Sequence, residues 1–515
     1  MTPGSLTWFA RHEARLGWRD LMSMMTAGKR ERERKVASGV VIFLVIMHVI
    51  AYFAVRSVGE GVSANLPTLI SVTVSVILSG SAMLSQAMES VTRTFYTRSD
   101  LELILSSPAQ AERLFAVRIG AIAVSVGALS LVFIGPIVNV LAWRSGVQWL
   151  AAYGVIIALS LLATAIAVVL TASLFQLIGP KRTRTIAQIA AALVGGLFVI
   201  GLQMAAMFST GTMSRLSFLQ SDVVAAHVPS IESAVWLPAR AVLGDASALF
   251  ALGGVSLLVF LLTTMVYAPR FAGYVSAAAS VSHRSGATRT RERAFAVQSA
   301  ASALRRKERL LLMRDPWLLS QSLMQLLYLM PPALLLWQGF ANGGNGAIVL
   351  IPVLVMAAGQ LAGGLAWLTI SGEDAPDLVL TAPVPPSLLL RTKVEAVMQC
   401  IAAVFAPFVV ALVFLAPSLA LVAAIGIAAS AGSATAIQLW FRAQAKRSQF
   451  RRRHTASRIA TFSEALSSIT WAAAAATAAV SIVVAGVVAL LAVGILGAVW
   501  LFSPERAARR RLKTS

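Results

Sequence analysis

Apolar runs near the length of a membrane-spanning helix, about 20 residues, recur along the whole chain. A bilayer accepts only helices or closed barrels, because every backbone polar group inside it must be hydrogen-bonded. The composition agrees, since 58% of the 515 residues are hydrophobic and 12% are charged, against about 25% charged residues in a soluble protein. The sequence therefore predicts an all-α polytopic membrane protein.

We place about twelve transmembrane helices on these runs. They are predicted at residues 37–57, 65–88, 119–142, 148–178, 186–209, 246–268, 317–339, 347–370, 394–416, 418–440, 459–479 and 481–502. A basic stretch, 269–316, separates two sets of six. The predicted domains are 1–35 with an interfacial helix, 36–268, the linker 269–316 with a second interfacial helix, 317–502, and the basic tail 503–515.

The net charge of +22 indicates orientation. With the N-terminus inside, only four of the 43 Lys and Arg residues fall on external segments, namely Arg56, Arg144, Arg215 and Arg240. Cytoplasmic loops carry an excess of Lys and Arg. We therefore expect a protein of the bacterial plasma (inner) membrane with both termini in the cytoplasm. The basic clusters lack stacking aromatic residues, so we expect anionic lipid headgroups rather than nucleic acid beside them.

Two cytoplasmic loops, 89–118 and 371–393, share a sequence pattern. In the first, "LILSSP" (103–108) and Arg118 align with "LVLTAP" (378–383) and Lys393 in the second, an offset of 275 residues. Before the first span of each half, another set recurs at an offset of 295 residues: Arg11, Glu13, Arg19 and Asp20 become Arg306, Glu308, Arg314 and Asp315. Each half has an even number of spans, so a duplication into two parallel six-helix repeats is predicted.

Residues 6–25 and 296–314 are predicted to be amphipathic helices at the membrane surface. In the first, one helical face is made of small or apolar residues, namely Ala10, Ala14, Gly17, Leu21 and Met24. Arg11, Arg15 and Arg19 lie off that face. Such a helix rests its apolar face in lipid and its cations among the headgroups. The alternative is a basic tail that only fixes topology.

Several sites are absent from the sequence. It contains no phosphate-binding loop of the G-x-x-x-x-G-K-[ST] type, no G-x-S-x-G motif, and no metal-ligand spacing among its five histidines. Cys400 is the only cysteine, which excludes disulfide bonds within the chain. We therefore expect no catalytic residue, no metal and no cofactor on this chain.

Ionisable groups are scarce inside the predicted spans. Of 21 acidic residues, only Glu464 falls within an apolar run, near its cytoplasmic end. Ion-coupled carriers usually bury such groups at the midplane, so we expect the energy for transport to come from elsewhere. His48, in the first span, is a candidate relay, and a hydrogen bond to a neighbouring helix is the alternative.

The repeated loops suggest a docking surface. Asp100 and Glu102 can begin a short helix, where its dipole favours acids. Ser107 resembles an N-cap, with Pro108 in the first helical position and Gln110 completing a capping box. In the second loop, Asp374 and Asp377 supply charge and three prolines stiffen the corner, namely Pro383, Pro385 and Pro386. A capped turn without a partner is the alternative.

With these features the chain resembles the permease subunits of type-two ABC exporters, in particular long, duplicated permeases of about twelve spans without their own ATPase. The resemblance rests on "RLGWRD", "RRKERLLLMRDPW", the two loops and the six-span halves. It implies an elbow helix before each half, and a loop in each half that inserts into one of two ABC-type ATPase subunits, which bind ATP and Mg. The implied coupling residues are Asp100, Glu102, Ser107, Pro108, Arg118, Asp374, Asp377, Thr381, Pro383 and Lys393.

The resemblance also implies short re-entrant helices outside, which residues 211–245 would supply, with Trp236 as an interfacial anchor. Near span ends lie Gln86, Gln176, Gln360 and Gln438, which either line a translocation path or hydrogen-bond between helices. Because only residues 459–502 remain for the last two spans, we expect an asymmetric external gate or a partial hairpin there.

Two other classes of function stay open. The first is an ion-coupled secondary transporter with two six-span halves. The second is a lipid-modifying enzyme, for which the candidate residues are Asp222, His227, Glu232 and Asp245.

Overall fold

The computed structural model describes residues 5–26, 33–55, 65–96, 110–209, 229–283, 299–314, 327, 347–371, 373, 379, 381–441, 458–478, 481–501 and 503. All regular elements within these residues are helical. The chain divides into two compact units, Met1–Thr288 and Arg289–Ser515, which we call unit 1 and unit 2.

Unit 1 contains eight α-helices in its described residues. They are α1 (Leu6–Thr26), α2 (Glu33–Ala54), α3 (Leu66–Tyr96), α4 (Ala111–Ser145), α5 (Ala151–Ile178), α6 (Pro180–Ser209), α7 (Leu237–Val242) and α8 (Ala246–His283). The described part of unit 2 contains α9 (Ala300–Arg314), α10 (Ala347–Ser371), α11 (Pro386–Leu415), α12 (Pro417–Phe441), α13 (Arg458–Ala478) and α14 (Ile482–Leu501).

Eight of the described helical segments are long and apolar enough to cross a membrane, and they belong to α3, α4, α5, α8, α10, α11, α12 and α14. Two shorter apolar segments, Ser38–Phe53 in α2 and Thr185–Phe198 in α6, lie on further predicted spans. Large apolar side chains such as Phe250, Met265 and Leu490 are more than 70% exposed, as a lipid-facing surface requires. The all-helical class is confirmed, and the eight long apolar helices are consistent with a polytopic membrane protein. The count of twelve spans stays a prediction. The predicted span 317–339 lies outside the described residues except for residue 327.

Helices continue beyond the predicted spans into the two predicted coupling loops. Helix α3 ends at Tyr96, and α4 begins at Ala111. The proposed capping box at Ser107 is wrong at its described member, because Gln110 has an extended backbone (φ −70°, ψ 107°) and is itself the N-cap of α4, without a side-chain hydrogen bond. Helix α11 likewise begins at Pro386, since a proline in the first helical position has no backbone N–H to leave unpaired and its φ already suits a helix.

In unit 1, α5 packs against α3, α4, α6 and α8. Its buried face is rich in Ala and Val, including Ala163, Ala167 and Val168, which lets neighbouring backbones approach closely. Toward the ends of α4 and α8 that face the first predicted loop, the rings of Phe115 and Phe271 stack with centroids 4.7 Å apart.

In unit 2, α10 is the most buried helix and packs against α11, α12 and α13. Leu354, Ala358 and Ala366 are fully buried on it. Helix α13 ends at Ala478, α14 begins at Ile482, and the two pack along each other. The last two predicted spans therefore lie on two separate helices that pack against each other, and the expected asymmetric external gate or partial hairpin stays a prediction.

The segment predicted to be external is compact in its described part, residues 229–245. A 3₁₀ turn (Ala234–Trp236) leads into the six-residue helix α7. The prediction of Trp236 as an interfacial anchor is wrong, because its ring is 4% exposed and packs on Leu69 and Ala239. Its indole nitrogen donates to the Ser230 carbonyl oxygen at 3.0 Å, so the side chain belongs to the protein core.

Candidate functional site

Helix α1 turns a narrow face toward unit 1. Phe9 and Glu13, one turn apart, are 3% and 7% exposed, whereas Ala10, Ala14 and Gly17 are exposed. The described part of the predicted small-residue face is therefore exposed, as expected for a helix resting on lipid. Arg11 and Arg19 are also exposed.

Glu13 forms a buried ion pair with Arg118 at the start of α4. Arg118 Nε donates to Glu13 Oε1 at 3.0 Å, and the two side chains are 3% and 6% exposed. The guanidinium also lies 5.9 Å from the ring centroid of Phe115. Charge-assisted hydrogen bonds of this kind are about twice as strong as neutral ones. The pair therefore fastens α1 to the membrane helix that follows the first predicted coupling loop.

Unit 2 contains the corresponding contact. Lys393 Nζ donates to Glu308 Oε1 at 3.0 Å, and Glu308 is 1% exposed. The same ammonium donates to the carbonyl oxygen of Thr369 at 2.6 Å. Lys393 thus ties α9 to the end of α10 and the start of α11, which are the two helices on either side of the second loop.

Further ion pairs surround this contact. Lys307 pairs with Glu373, within the second loop, and with Glu308 at 3.2 Å. Burial of the Lys307 ammonium lowers its pKa, but the hydrogen bond to Glu373 and the charge of Glu308 outweigh that effect and raise it. Arg305 of α9 donates to Glu395 of α11 at 2.6 Å, so a second ion pair joins the same two helices at a more exposed position.

The predicted coupling residues fall into three groups, of which the first is the pair of buried cations described above, Arg118 and Lys393. Asp100, Glu102, Ser107, Pro108, Asp374 and Asp377 lie outside the described residues, as does Asp315. Thr381 and Pro383 are exposed ahead of α11. On the interfacial helices, Arg306 is exposed, and the side chains of Asp20 and Arg314 lie outside the description.

The sequence placed Glu13 and Glu308 on interfacial helices and Arg118 and Lys393 in coupling loops, but did not pair them. A signal was available. In each half, a glutamate of the interfacial helix recurs together with a cation at the end of the predicted coupling loop. Opposite charges that recur together are candidates for contact.

The predicted translocation-path glutamines have separate partners. Gln176 donates to the Tyr274 hydroxyl at 2.6 Å, and Gln438 donates to Glu464 at 2.5 Å. Both contacts join different helices, which is the alternative considered for these amides. Gln86 is half-buried and Gln360 is exposed.

His48 also hydrogen-bonds to neighbouring helices. Its Nδ1 lies 2.8 Å from the Leu44 carbonyl oxygen, which can only accept, so Nδ1 carries the proton. Nε2 then accepts from Asn139 at 3.2 Å, and the Tyr153 hydroxyl donates to Asn139 Oδ1 at 2.5 Å. This chain joins α2, α4 and α5 and gives the histidine a structural role.

The residues considered for a lipid-modifying enzyme do not form a common site in the described part of the chain. Asp222 and His227 lie outside the described residues, and Glu232 is exposed. Asp245 caps α8, since it accepts from the Ser247 hydroxyl at 2.6 Å and the Ala248 amide at 3.1 Å. The Ser247 and Ala248 hydrogen bonds, with Arg240, lower the pKa of Asp245 to about 2. In the described part of the chain, no three His, Cys, Asp or Glu residues lie close enough to hold a metal ion.

Comparison with known proteins finds no matching family model, no matching curated protein and no matching solved structure.

Proposed function

We propose that this chain is the membrane-spanning permease subunit of an ATP-driven ABC exporter, made of two six-span repeats. Two copies of a separate ABC-type ATPase subunit would bind its cytoplasmic loops and carry the ATP and Mg. The chain itself would hydrolyse nothing and would supply the path through the membrane.

The observation that carries this proposal is the matched pair of ion pairs. In each unit, a buried glutamate of the interfacial helix contacts the cation that follows the predicted coupling loop, at 3.0 Å in both cases. A partner that pushes on the loop would therefore move the loop, the interfacial helix and the next membrane helix as one body. A loop that merely connects two spans has no need of such a fastening.

The helix neighbours support the duplication behind the proposal. In unit 1, α3 packs against α4, α5 and α6. In unit 2, α10, which occupies the matching position in the sequence, packs against α11, α12 and α13. The interfacial helices match as well, since α1 contacts α4 and α9 contacts α11.

The mechanism follows from these contacts. ATP-driven closure of the ATPase pair would displace both loops, and the ion pairs at Arg118 and Lys393 would transmit the displacement to α4 and α11. The permease would then change between inward-facing and outward-facing states. Because the loop stems are helical, little of the motion would be lost in flexible backbone.

The proposal is tested by pulling down an ABC-type ATPase subunit with the chain and measuring the ATP hydrolysis of the complex in lipid vesicles. Replacing Pro108 or Pro383 by alanine, or Asp100 or Asp377 by lysine, should lower the stimulated ATPase rate while leaving membrane insertion intact. Glu232→Lys, an equal charge reversal on the opposite side, is the control and should leave the rate unchanged. Unchanged rates in all four loop variants would refute docking.

A second candidate function, an ion-coupled secondary transporter, is favoured by one observation. Glu464 of α13 is buried, at 4% exposure. A carboxylate inside a membrane-spanning helix is costly, and such residues usually have a function such as binding an ion. That candidate predicts transport that an uncoupler abolishes and that ATP depletion leaves intact.

A further inference from the structure

Helices α2 and α4 lie side by side in unit 1 and form what we call the α2–α4 seam. Three side-chain contacts join the two helices, between Phe43 and Phe133, between His48 and Asn139, and between Tyr52 and Trp143. The residue numbers rise together on both helices, so the helices are parallel and end on the same side of unit 1. The exporter mechanism proposed above uses none of these residues.

The end of the seam is aromatic and exposed. The ring of Tyr52 lies 6.5 Å from that of Trp143 and 5.7 Å from that of Phe53, measured between centroids. All three side chains are exposed, Trp143 by 78%. Tyr and Trp are enriched where a membrane helix meets the lipid headgroups, because each ring combines an apolar body with a polar tip. The end of the seam therefore suits the headgroup level of a bilayer.

A single cation lies among these rings. The guanidinium carbon of Arg144 is 5.3 Å from the ring centroid of Tyr52, so the charge of an α4 residue rests against α2. Its Nη1 atom is buried and has no hydrogen-bond partner among the described residues. No described acid forms an ion pair with Arg144. Because a guanidinium has five N–H donors and matches the geometry of phosphate, this end of the seam fits a phosphate group.

A second polar group lies on the seam, closer to the middle of α4. Asn139 is exposed although it falls inside a predicted span. Its amide nitrogen donates one hydrogen to His48, and no described residue accepts the other. Five residues of helix separate Asn139 from Arg144, a rise of about 7.5 Å. The ester carbonyls of a phospholipid lie on the same side of its phosphate, toward the hydrocarbon, and could accept this hydrogen.

Still further from Arg144, the surface beside the seam is apolar. On α2, Val45, Ile46 and Val49 are at least half exposed. On α4, Phe133 is exposed as well. Exposed apolar strips mark contacts with a membrane or a protein. Along the seam the order is therefore cation, amide and apolar surface, which matches the order of phosphate, ester and acyl chain in a phospholipid.

The charges of the chain favour a lipid over a protein carboxylate at Arg144. The residue lies at the end of α4 opposite to the first predicted coupling loop. Every Asp and Glu beyond residue 288 falls on a predicted cytoplasmic segment or near the cytoplasmic end of a span. In unit 1, Asp245 is already paired with Arg240. Since no described acid pairs with the guanidinium, nothing there would accept the ammonium group of a zwitterionic lipid, and an anionic headgroup fits better.

We propose that the end of the α2–α4 seam binds one anionic phospholipid in the leaflet that it meets. Arg144 pairs with the phosphate, between the rings of Tyr52 and Trp143. Asn139 donates to an ester carbonyl, and the acyl chains lie along both helices. The site does not involve the ATPase, so it stands or falls separately from the exporter proposal.

The first experiment places the full-length chain in nanodiscs of phosphatidylglycerol and phosphatidylcholine in equal parts. A trace of either lipid carries a photoreactive diazirine in its acyl chain, and the crosslinks are mapped by mass spectrometry. The phosphatidylglycerol analogue should label residues 43–53 and 133–143 several-fold more than the phosphatidylcholine analogue. Excess phosphatidylglycerol should compete, whereas inorganic phosphate should not. Equal labelling by the two analogues, no labelling by either, or competition by inorganic phosphate overturns the proposal.

Variants connect the labelling to the residues of the site. Arg144→Gln should abolish the preference for phosphatidylglycerol, and Arg144→Lys, which keeps the charge, should retain part of it. Arg240→Gln is the matched control and should retain all of it, because that arginine is already paired with Asp245. Trp143→Ala alters an exposed side chain, should weaken the labelling, and carries the comparison if Arg144→Gln does not fold. An unchanged preference in every folded variant of Arg144 and Trp143 contradicts the site.

Glu60 follows α2 in the sequence and lies outside the described residues, so it is tested directly. Glu60→Gln should leave the labelling of the seam by the phosphatidylglycerol analogue unchanged. A several-fold increase in that variant would show that Glu60 occupies the guanidinium of the unaltered chain, and it would overturn the proposal.

The second experiment compares melting temperatures as phosphatidylglycerol replaces phosphatidylcholine, because a ligand of the folded state raises stability by mass action. The melting temperature of the unaltered chain should rise, and that of Arg144→Gln should rise less. Arg240→Gln should respond like the unaltered chain, so that other basic surfaces contribute equally to both. Equal responses of the unaltered chain and Arg144→Gln would mean that no lipid is bound at this end of the seam.

Discussion

Glu308 Oε1 accepts a hydrogen bond from Lys393 Nζ at 3.0 Å in the interior of unit 2, and Glu13 accepts from Arg118 at the same distance in unit 1. The two glutamates are related by an offset of 295 residues and the two cations by an offset of 275. Chance similarity in one Leu-rich stretch would not bring a residue of the interfacial helix into contact with a residue of the predicted coupling loop in both units. The contacts therefore support a duplicated unit whose second copy has a shorter connection.

The Glu13–Arg118 pair should be essential for the stability of unit 1. Replacing Glu13 by glutamine removes the carboxylate charge that the buried guanidinium of Arg118 contacts, and the loss of one member of a buried ion pair costs about 3–5 kcal/mol. Thermal unfolding of the purified chain in nanodiscs measures the effect. Arg11→Gln, which removes an exposed charge from the same helix, should change stability by less than about 0.5 kcal/mol.

The exchanged pair Glu13→Arg with Arg118→Glu distinguishes ion pairing from packing. If the charges matter through their contact, the double variant should be more stable than either single variant by about 1 kcal/mol or more. Strict additivity of the two single losses would contradict the pairing.

The two ion-pair sites of unit 2 should contribute differently to stability, because one is buried and the other is partly exposed. The side chain of Glu308 is 1% exposed, so Glu308→Gln should lower the free energy of unfolding by about 3–5 kcal/mol. Glu395 has two cationic partners, but it is 26% exposed and Arg305 is 40% exposed, so Glu395→Gln should cost about 0–1 kcal/mol. Denaturation of both variants under the same conditions measures the difference. Equal losses would show that Lys393 does not depend on Glu308.

The helical class followed from the sequence because its cause is local. Runs of apolar residues must form helices in a bilayer whatever their neighbours are, and the described helices lie on eleven of the twelve predicted spans. The ends of the helices were harder to predict, since α4 and α11 extend past their apolar runs into the loops. The amphipathic pattern of α1 predicted the exposed positions Ala10, Ala14 and Gly17, but not that Glu13 would be buried on another face.

The contacts of individual side chains could not be derived in the same way. Trp236 and Glu232 lie four residues apart in one predicted loop, yet one is core and the other is exposed. The difference depends on where α3 packs, which is a tertiary property. Gly363 is similar, because a glycine in an apolar run has many explanations until Glu464 is found against it.

Gly363→Ala should destabilise unit 2 although alanine favours helices. Its Cβ would lie 2.0–2.4 Å from the Glu464 carboxylate, and overpacking of this kind costs about 1–3 kcal/mol. Gly432→Ala on α12 is the matched control, since nothing lies within 4 Å of its Cβ position and the gain in helix propensity should stabilise by about 0.5–1 kcal/mol. Melting temperatures of the two variants should move in opposite directions, and a joint rise would show that Glu464 moves aside freely.

The start of α8 should keep its cap at any pH above about 4, well below neutrality. The hydrogen bonds from Ser247 and the Ala248 amide, together with Arg240, lower the pKa of Asp245 from 3.8 to about 2. Because the folded-state pKa is the lower one, the stabilisation is complete above the unfolded value and is lost as pH falls from about 4 to about 2. A carboxyl-carbon NMR titration should give a midpoint near 2 for Asp245, and Ser247→Ala should move it upward. A midpoint at the ordinary value in the unaltered chain would mean that Asp245 does not cap the helix in the membrane.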